Sequence, residues 1–111
     1  MVTLPWPPSV NRYWRPWRGR MVISKEGRAY RNAVAVICAK LEQFSPDTRL
    51  RVDIKAYPPD RRRRDLDNIL KATLDALEGH VYPDDSQVDD LRVVRHNRTD
   101  DGAVEVHCVP I

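Results

Sequence analysis

Hydrophobic residues recur along this chain with two different periods, and the switches between them lay out the elements. Leu50, Val52, Ile54 and Ala56 alternate with Arg51, Asp53, Lys55 and Tyr57, the period of a strand with one face on a core. Upstream, Tyr30, Val34, Ile37, Leu41 and Phe44 recur at three- and four-residue spacing. Residues 25–43 therefore read as a helix, with Ser24 as its N-cap and Ser45-Pro46-Asp47 as its end. A second helix is expected over 66–78, with a buried stripe of Leu66, Leu70, Leu74 and Leu77 flanked by Ile69 and Thr73. Asp65 is its candidate N-cap and Gly79 its stop. Near the N-terminus, Thr3-Leu4-Pro5 reads as the end of a short strand, and Pro5, Pro7 and Pro8 enforce an extended path. Tyr13-Trp14 and Met21-Val22-Ile23 are the expected arms of a hairpin turning near Arg18-Gly19-Arg20. Residues 88–95 and 103–109 look like a closing antiparallel pair joined near Asp101-Gly102, after a turn at Pro83-Asp84-Asp85-Ser86.

That order predicts one α/β (α+β) domain over residues 1–111: a mixed β-sheet of about five to six strands with two main helices packed on one face. The 111 residues, 41% hydrophobic and 32% charged, suit one soluble domain with an adequate core. No apolar run is long enough for a membrane span or a signal peptide, so a cytoplasmic protein without membrane attachment is expected. Cys38 and Cys108 lie far apart in apolar contexts and read as small buried hydrophobes.

Charge changes the picture. Residues 1–31 carry seven basic side chains against one acid, while residues 82–105 carry seven acids against three arginines. Fifteen of the 19 basic residues are arginine, the side chain best matched to bidentate phosphate contacts. A basic half beside an acidic patch suits a protein that grips DNA phosphates and collects a divalent metal, although solvated charge alone could give the same balance.

The densest chemical signal is Arg61-Arg62-Arg63-Arg64-Asp65-Leu66-Asp67-Asn68, followed by Lys71 and Asp75 on the face opposite the leucines. Phosphodiester hydrolysis needs a hard cation, and magnesium prefers a few carboxylates plus water. Asp65 and Asp67 at a strand-to-helix junction could supply two, and the Asp84-Asp85 turn a third. Lys71 could stabilise charge on the phosphate. The bland counterparts are acids favouring a helix dipole and ordinary surface ion pairs. A second signal interleaves aromatic and basic residues: Asn11, Arg12, Trp14, Trp17, Arg18 and Arg20. Stacking on tryptophan and phosphate contacts from arginine suit an opened or branched nucleic acid, although Trp6 and Trp14 could simply close the core. His80, His96 and His107 have no ligand spacing.

These residues resemble a known family. Leu4-Pro5-Trp6-Pro7-Pro8-Ser9, Asn11-Arg12-Tyr13, Arg18-Gly19-Arg20 and Glu26 to Arg31 are similar to the N-terminal half of the RusA Holliday-junction resolvases. Pro59 to Asn68, Lys71-Ala72, Asp75-Ala76-Leu77, Asp84 to Val88 and Arg92-Val93-Val94 resemble their catalytic half. The resemblance covers about residues 3 to 95 in the family's order. It implies a homodimer that nicks opposed strands of four-way junction DNA, with Mg2+ (Mn2+ a substitute) and no organic cofactor. It also implies metal-binding catalytic roles for Asp65, Asp67 and Asp85 and a supporting role for Lys71. The basic and aromatic signals themselves make Asn11, Arg12, Trp17, Arg18, Arg20, Arg61, Arg62, Arg63 and Arg64 the expected DNA contacts. A non-catalytic branched-DNA-binding module, or a nuclease acting on flaps or RNA, would use the same basic surface.

Overall fold

The computed structural model describes all 111 residues. In chain order the elements are β1 (Val2–Pro5), α1 (Val10–Tyr13), β2 (Trp14–Trp17), β3 (Arg20–Ile23), α2 (Lys25–Ile37), β4 (Leu50–Tyr57), α3 (Leu70–Leu77), β5 (Val88–Arg95) and β6 (Ala103–Pro110). Short 3-10 turns precede α3 (Leu66–Ile69) and β5 (Asp85–Gln87). The six strands divide into a mixed four-stranded sheet, in the order β1-β6-β4-β5, and a separate β2-β3 hairpin. β4 alternates as its sequence demands: Leu50, Val52, Ile54 and Ala56 are buried, and the intervening side chains are not. With Leu4, Val104 and Val106 they form the sheet's apolar face, covered by Tyr30, Val34 and Cys38 from α2 and by Ala72, Ala76 and Leu77 from α3.

Ser24 caps α2 as expected, its hydroxyl accepting from the Gly27 amide at 2.9 Å. Gly27 is there because nothing larger fits. A Cβ would lie 2.7 Å from the Tyr13 carbonyl oxygen and 2.8 Å from Ile23 Cγ1, so α1 and β3 press directly on the helix backbone. The hairpin turns through Arg18 (φ 50°) and Gly19 (φ 78°), the paired positive φ of a tight turn matched to strand twist.

Four expectations need correction. Residues 88–95 and 103–110 do not pair with each other. β4 lies between them, parallel to β5 and antiparallel to β6. The reason is the β4-α3-β5 crossover, which returns the chain parallel to β4 and leaves the opposite edge of β4 for β6. The first helix stops at Ile37, not at residue 43. The Phe44 amide instead donates to the Val81 carbonyl at 2.9 Å, so a tertiary contact overrides helix propensity in the segment leading to β4. Its buried stripe runs through Gly27, Tyr30, Val34 and Cys38, and Ile37 and Leu41 are 43% and 46% exposed. The second helix is a 3-10 turn followed by α3, and its most buried face carries Ile69, Ala72, Thr73, Ala76 and Leu77. Small Ala72 and Ala76 allow close packing, and Leu66, Leu70 and Leu74 flank it half-buried. Finally, Tyr13 belongs to a short helix rather than to the hairpin, whose arms are β2 and β3.

Both thiols are free. Burial raises the pKa of Cys38 and pushes Cys108 up to about 11, so both behave as the apolar residues expected of them.

Candidate active site and nucleic-acid interface

One residue of the N-terminal basic signal, Arg12, and three of the arginine run, about fifty residues further along the sequence, line one groove. Trp6, Arg12, Arg62, Arg63, Arg64 and Asn68 are among the walls of a cleft of about 640 Å³ between the start of α2 and the loop that follows β4. Asp60 organises the arginine loop. It takes Arg64 Nη1 at 2.6 Å, Arg62 Nε at 3.2 Å and the Arg62 amide at 2.9 Å. These bonds, the one from Arg64 foremost, hold the Asp60 carboxyl well below the usual carboxylate range. The Arg64 guanidinium also lies 5.7 Å from the centre of the Trp6 ring, which fixes its plane. Arg61 and Arg63 are exposed and make no ion pair in this chain. Arg12 and Asn11 sit on α1, both exposed. Trp17, Arg18 and Arg20 form a separate basic-aromatic tip on the hairpin, with the two guanidinium carbons 4.6 Å and 5.8 Å from the Trp17 ring centre.

The acids divide into two groups. Asp65 occupies the N-cap position of the 3-10 turn but makes no side-chain cap bond, and Asp67 follows it, also exposed. This end is tied to the C-terminal end of β5, where Arg95 Nη2 donates to the Arg64 carbonyl at 2.5 Å. Asp84 and Asp85 lie at the other end of that strand. Arg49, just before β4, clamps them there by donating to the Ser86 carbonyl at 2.7 Å and to both Asp89 oxygens at 2.5 and 2.9 Å. The eight residues of β5 separate the two groups, a length of about 25 Å. Asp84 is spent on a capping box: its carboxylate accepts from the Ser86 amide, and its own amide donates to Gln87 Oε1. Asp85 is half-buried and not so committed.

Asp85 instead faces the C-terminal part of α3. Burial first, then the charges of Asp85, Asp84 and Asp75, raise the Glu78 pKa above its ordinary value, with Lys71 opposing. Asp75 is held by the Tyr13 hydroxyl and lies 3.9 Å from Arg31 Nε. Lys71 Nζ rests 5.7 Å from the Trp14 ring centre. No three His, Cys, Asp or Glu side chains come close enough to hold one metal ion. A single chain therefore does not assemble the expected set of Asp65, Asp67 and Asp85.

Sequence reading missed Asp60 and Trp6 as organisers of the groove, although Asp60 directly precedes the arginine run. It noted the spacing of Asp75 but had no signal for Tyr13 as its donor.

A small α+β domain with an arginine-lined cleft and open carboxylates at the cleft's edge defines a nucleic-acid-processing protein. The sequence model of the family Endodeoxyribonuclease RusA matches residues 5–108. The chain belongs to this family. It is 48% identical over 107 residues to the crossover junction endodeoxyribonuclease rusA of Enterobacteria phage 82, covering 95% of this chain and 89% of that protein. The crossover junction endodeoxyribonucleases RusA of Escherichia coli (strain K12) and Shigella sonnei (strain Ss046) are each 47% identical over the same length and the same shares.

Proposed function

We propose that this chain is a structure-selective endodeoxyribonuclease that resolves Holliday junctions in DNA recombination and repair, nicking opposed strands as a homodimer. The observation that carries the reading is the arginine groove of Arg12, Arg62, Arg63 and Arg64 running up to Asp65, in a chain of this family. A divalent metal requirement fits an endodeoxyribonuclease family. Mg2+ is the proposed ion and Mn2+ its substitute. The groove arginines neutralise phosphate and set the register of the DNA. Trp6 keeps the Arg64 plane fixed, and the Trp17 tip offers a stacking face between two guanidinium groups for a base or a second arm. Asp65, Asp67 and Asp85 are the proposed ligands. Asp85 is preferred over Asp84 because the latter is engaged as a cap. Lys71 is the proposed supporting cation. No helix is long and apolar enough to cross a membrane, which accords with work on cytoplasmic DNA.

A second reading, a junction-binding module without chemistry, is favoured by the absence of three converging acids in one chain. A magnesium titration on an end-labelled synthetic four-way junction separates the two. Symmetric paired nicks that need metal are expected, and Asp65→Asn, Asp67→Asn and Asp85→Asn each abolish them while leaving the junction bound. Retention of the junction without nicks at every metal concentration sinks the endonuclease reading.

A further inference from the structure

Lys71 and Asp75 stand one turn apart on α3, the spacing at which a lysine and an aspartate ordinarily pair across a helix surface. They do not pair here. Asp75 accepts from the Tyr13 hydroxyl and lies 3.9 Å from Arg31 Nε, with its side chain 21% exposed. Lys71 is exposed and joins none of the chain's ion pairs. Its Nζ rests 5.7 Å from the centre of the Trp14 ring. Tyr13 and Trp14 are consecutive residues where α1 meets β2, and their rings contact edge to face at 5.2 Å. Tyr13 is fully buried. Burial first, then the bond to Asp75, raises its pKa well above the ordinary tyrosine value, so the hydroxyl stays protonated and donating across the neutral range.

We infer that Tyr13 and Trp14 are positioning residues for Lys71: they keep it apart from Asp75 and so hold it as an unpaired cation for a DNA phosphate. The inference rests on the role proposed above for Lys71. A carboxylate four residues along the helix competes with phosphate for the same ammonium group. Tyr13 weakens that competitor by occupying a carboxylate oxygen, and Arg31 offsets its charge. Trp14 offers the ammonium a face that attracts it without neutralising it, because the ring carries a quadrupole and no net charge. Lys71 thus meets the substrate with its whole charge available and only a weak contact to give up.

The test is single-turnover cleavage of a four-way junction, with junction affinity measured separately in EDTA. Tyr13→Phe keeps the ring and frees Asp75. An exposed pair at this spacing is formed about two-thirds of the time, so the cleavage rate should fall about threefold. Affinity should change little, because the groove arginines carry the binding. Asp75→Asn alone should cleave at the wild-type rate, and Tyr13→Phe with Asp75→Asn should recover that rate, since no carboxylate is left at position 75 for Lys71 to meet. Losses that merely reflect disturbed packing are not recovered by the second change. Trp14→Leu should be slowed and Trp14→Phe should not, an arm that decides the matter if Tyr13→Phe does not fold. A readout independent of turnover is the ring-current shift of the Lys71 ε-methylene in protein labelled with 13C-lysine. It should lie upfield in the wild type and move toward the position of free lysine in Tyr13→Phe. Wild-type rates in Tyr13→Phe or Trp14→Leu, a double variant as slow as Tyr13→Phe, or a Lys71 resonance that does not move overturns the inference and leaves the endonuclease reading standing. Full cleavage by Lys71→Ala overturns the role assigned to Lys71, and the inference with it.

Discussion

Asp60→Asn should make this protein bind DNA more tightly, and the arrangement of the groove gives the size of the effect. Asp60 sits between Arg62 and Arg64 and cancels one unit of their charge. Asparagine is nearly isosteric and keeps a carbonyl oxygen to accept the Arg62 amide, so the loop retains its shape while the groove gains one net positive charge. If that charge reaches one further phosphate, the slope of log K against log salt steepens by about 0.9. Taking the effect to vanish near 1 M salt, affinity at 0.1 M rises close to tenfold. The assay is fluorescence anisotropy on a four-way junction in EDTA, with salt varied between about 0.05 and 0.2 M. A slope unchanged from wild type, or weaker binding at every salt, would refute the claim that these arginines face phosphate. The same carboxylate gives a pH signature. Its folded pKa is depressed, so its contribution to stability is present above the ordinary carboxylate range and is lost progressively as pH falls from that range down to the lower folded pKa, and Asp60→Asn removes that part of the acid limb.

Two further outcomes follow from packing and titration. Gly27→Ala forces a Cβ to within 2.8 Å of Tyr13 and Ile23 atoms, so overpacking of roughly 1–3 kcal/mol should outweigh a helix-propensity gain of about 1 kcal/mol. Thermal melts should drop by several degrees, and a melt equal to or above wild type contradicts the contact. Cys108 has a folded pKa raised to about 11, so the unfolded chain ionises first. Stability should be complete below about pH 8.5 and fall between there and pH 11, and urea titrations of Cys108→Val should flatten that decline.

The sequence was legible where structure is local. β4 follows its alternation because one face meets helices and the other water, and Ser24 caps α2 because its hydroxyl reaches Gly27 without help from elsewhere. It was illegible where distant segments decide. Nothing in residues 88–110 states that β4 will intervene, since the Asp101-Gly102 turn looks like any hairpin turn; the cue lay in the strand-helix-strand order upstream. The leucine stripe misled because Ala72 and Ala76, small enough to let α2 approach, take the most buried face. For the site, the residue types and the arginine run could be read directly. Convergence of Arg12 with Arg62 to Arg64 could not, because it depends on how α1 docks against the loop after β4. The distance between Asp65 and Asp85 was readable in principle, because a crossover helix of fixed rise holds its two ends apart.

The β2-β3 hairpin forms a sheet of its own, shares no ladder with the four-stranded sheet, and meets the body at its base, where Trp14 packs edge-on to Tyr13 at 5.2 Å. Residues 15–20 at its far end are all exposed. Changes at these positions leave every core contact untouched, so the finger is free to vary in sequence at no cost to the packing of the body.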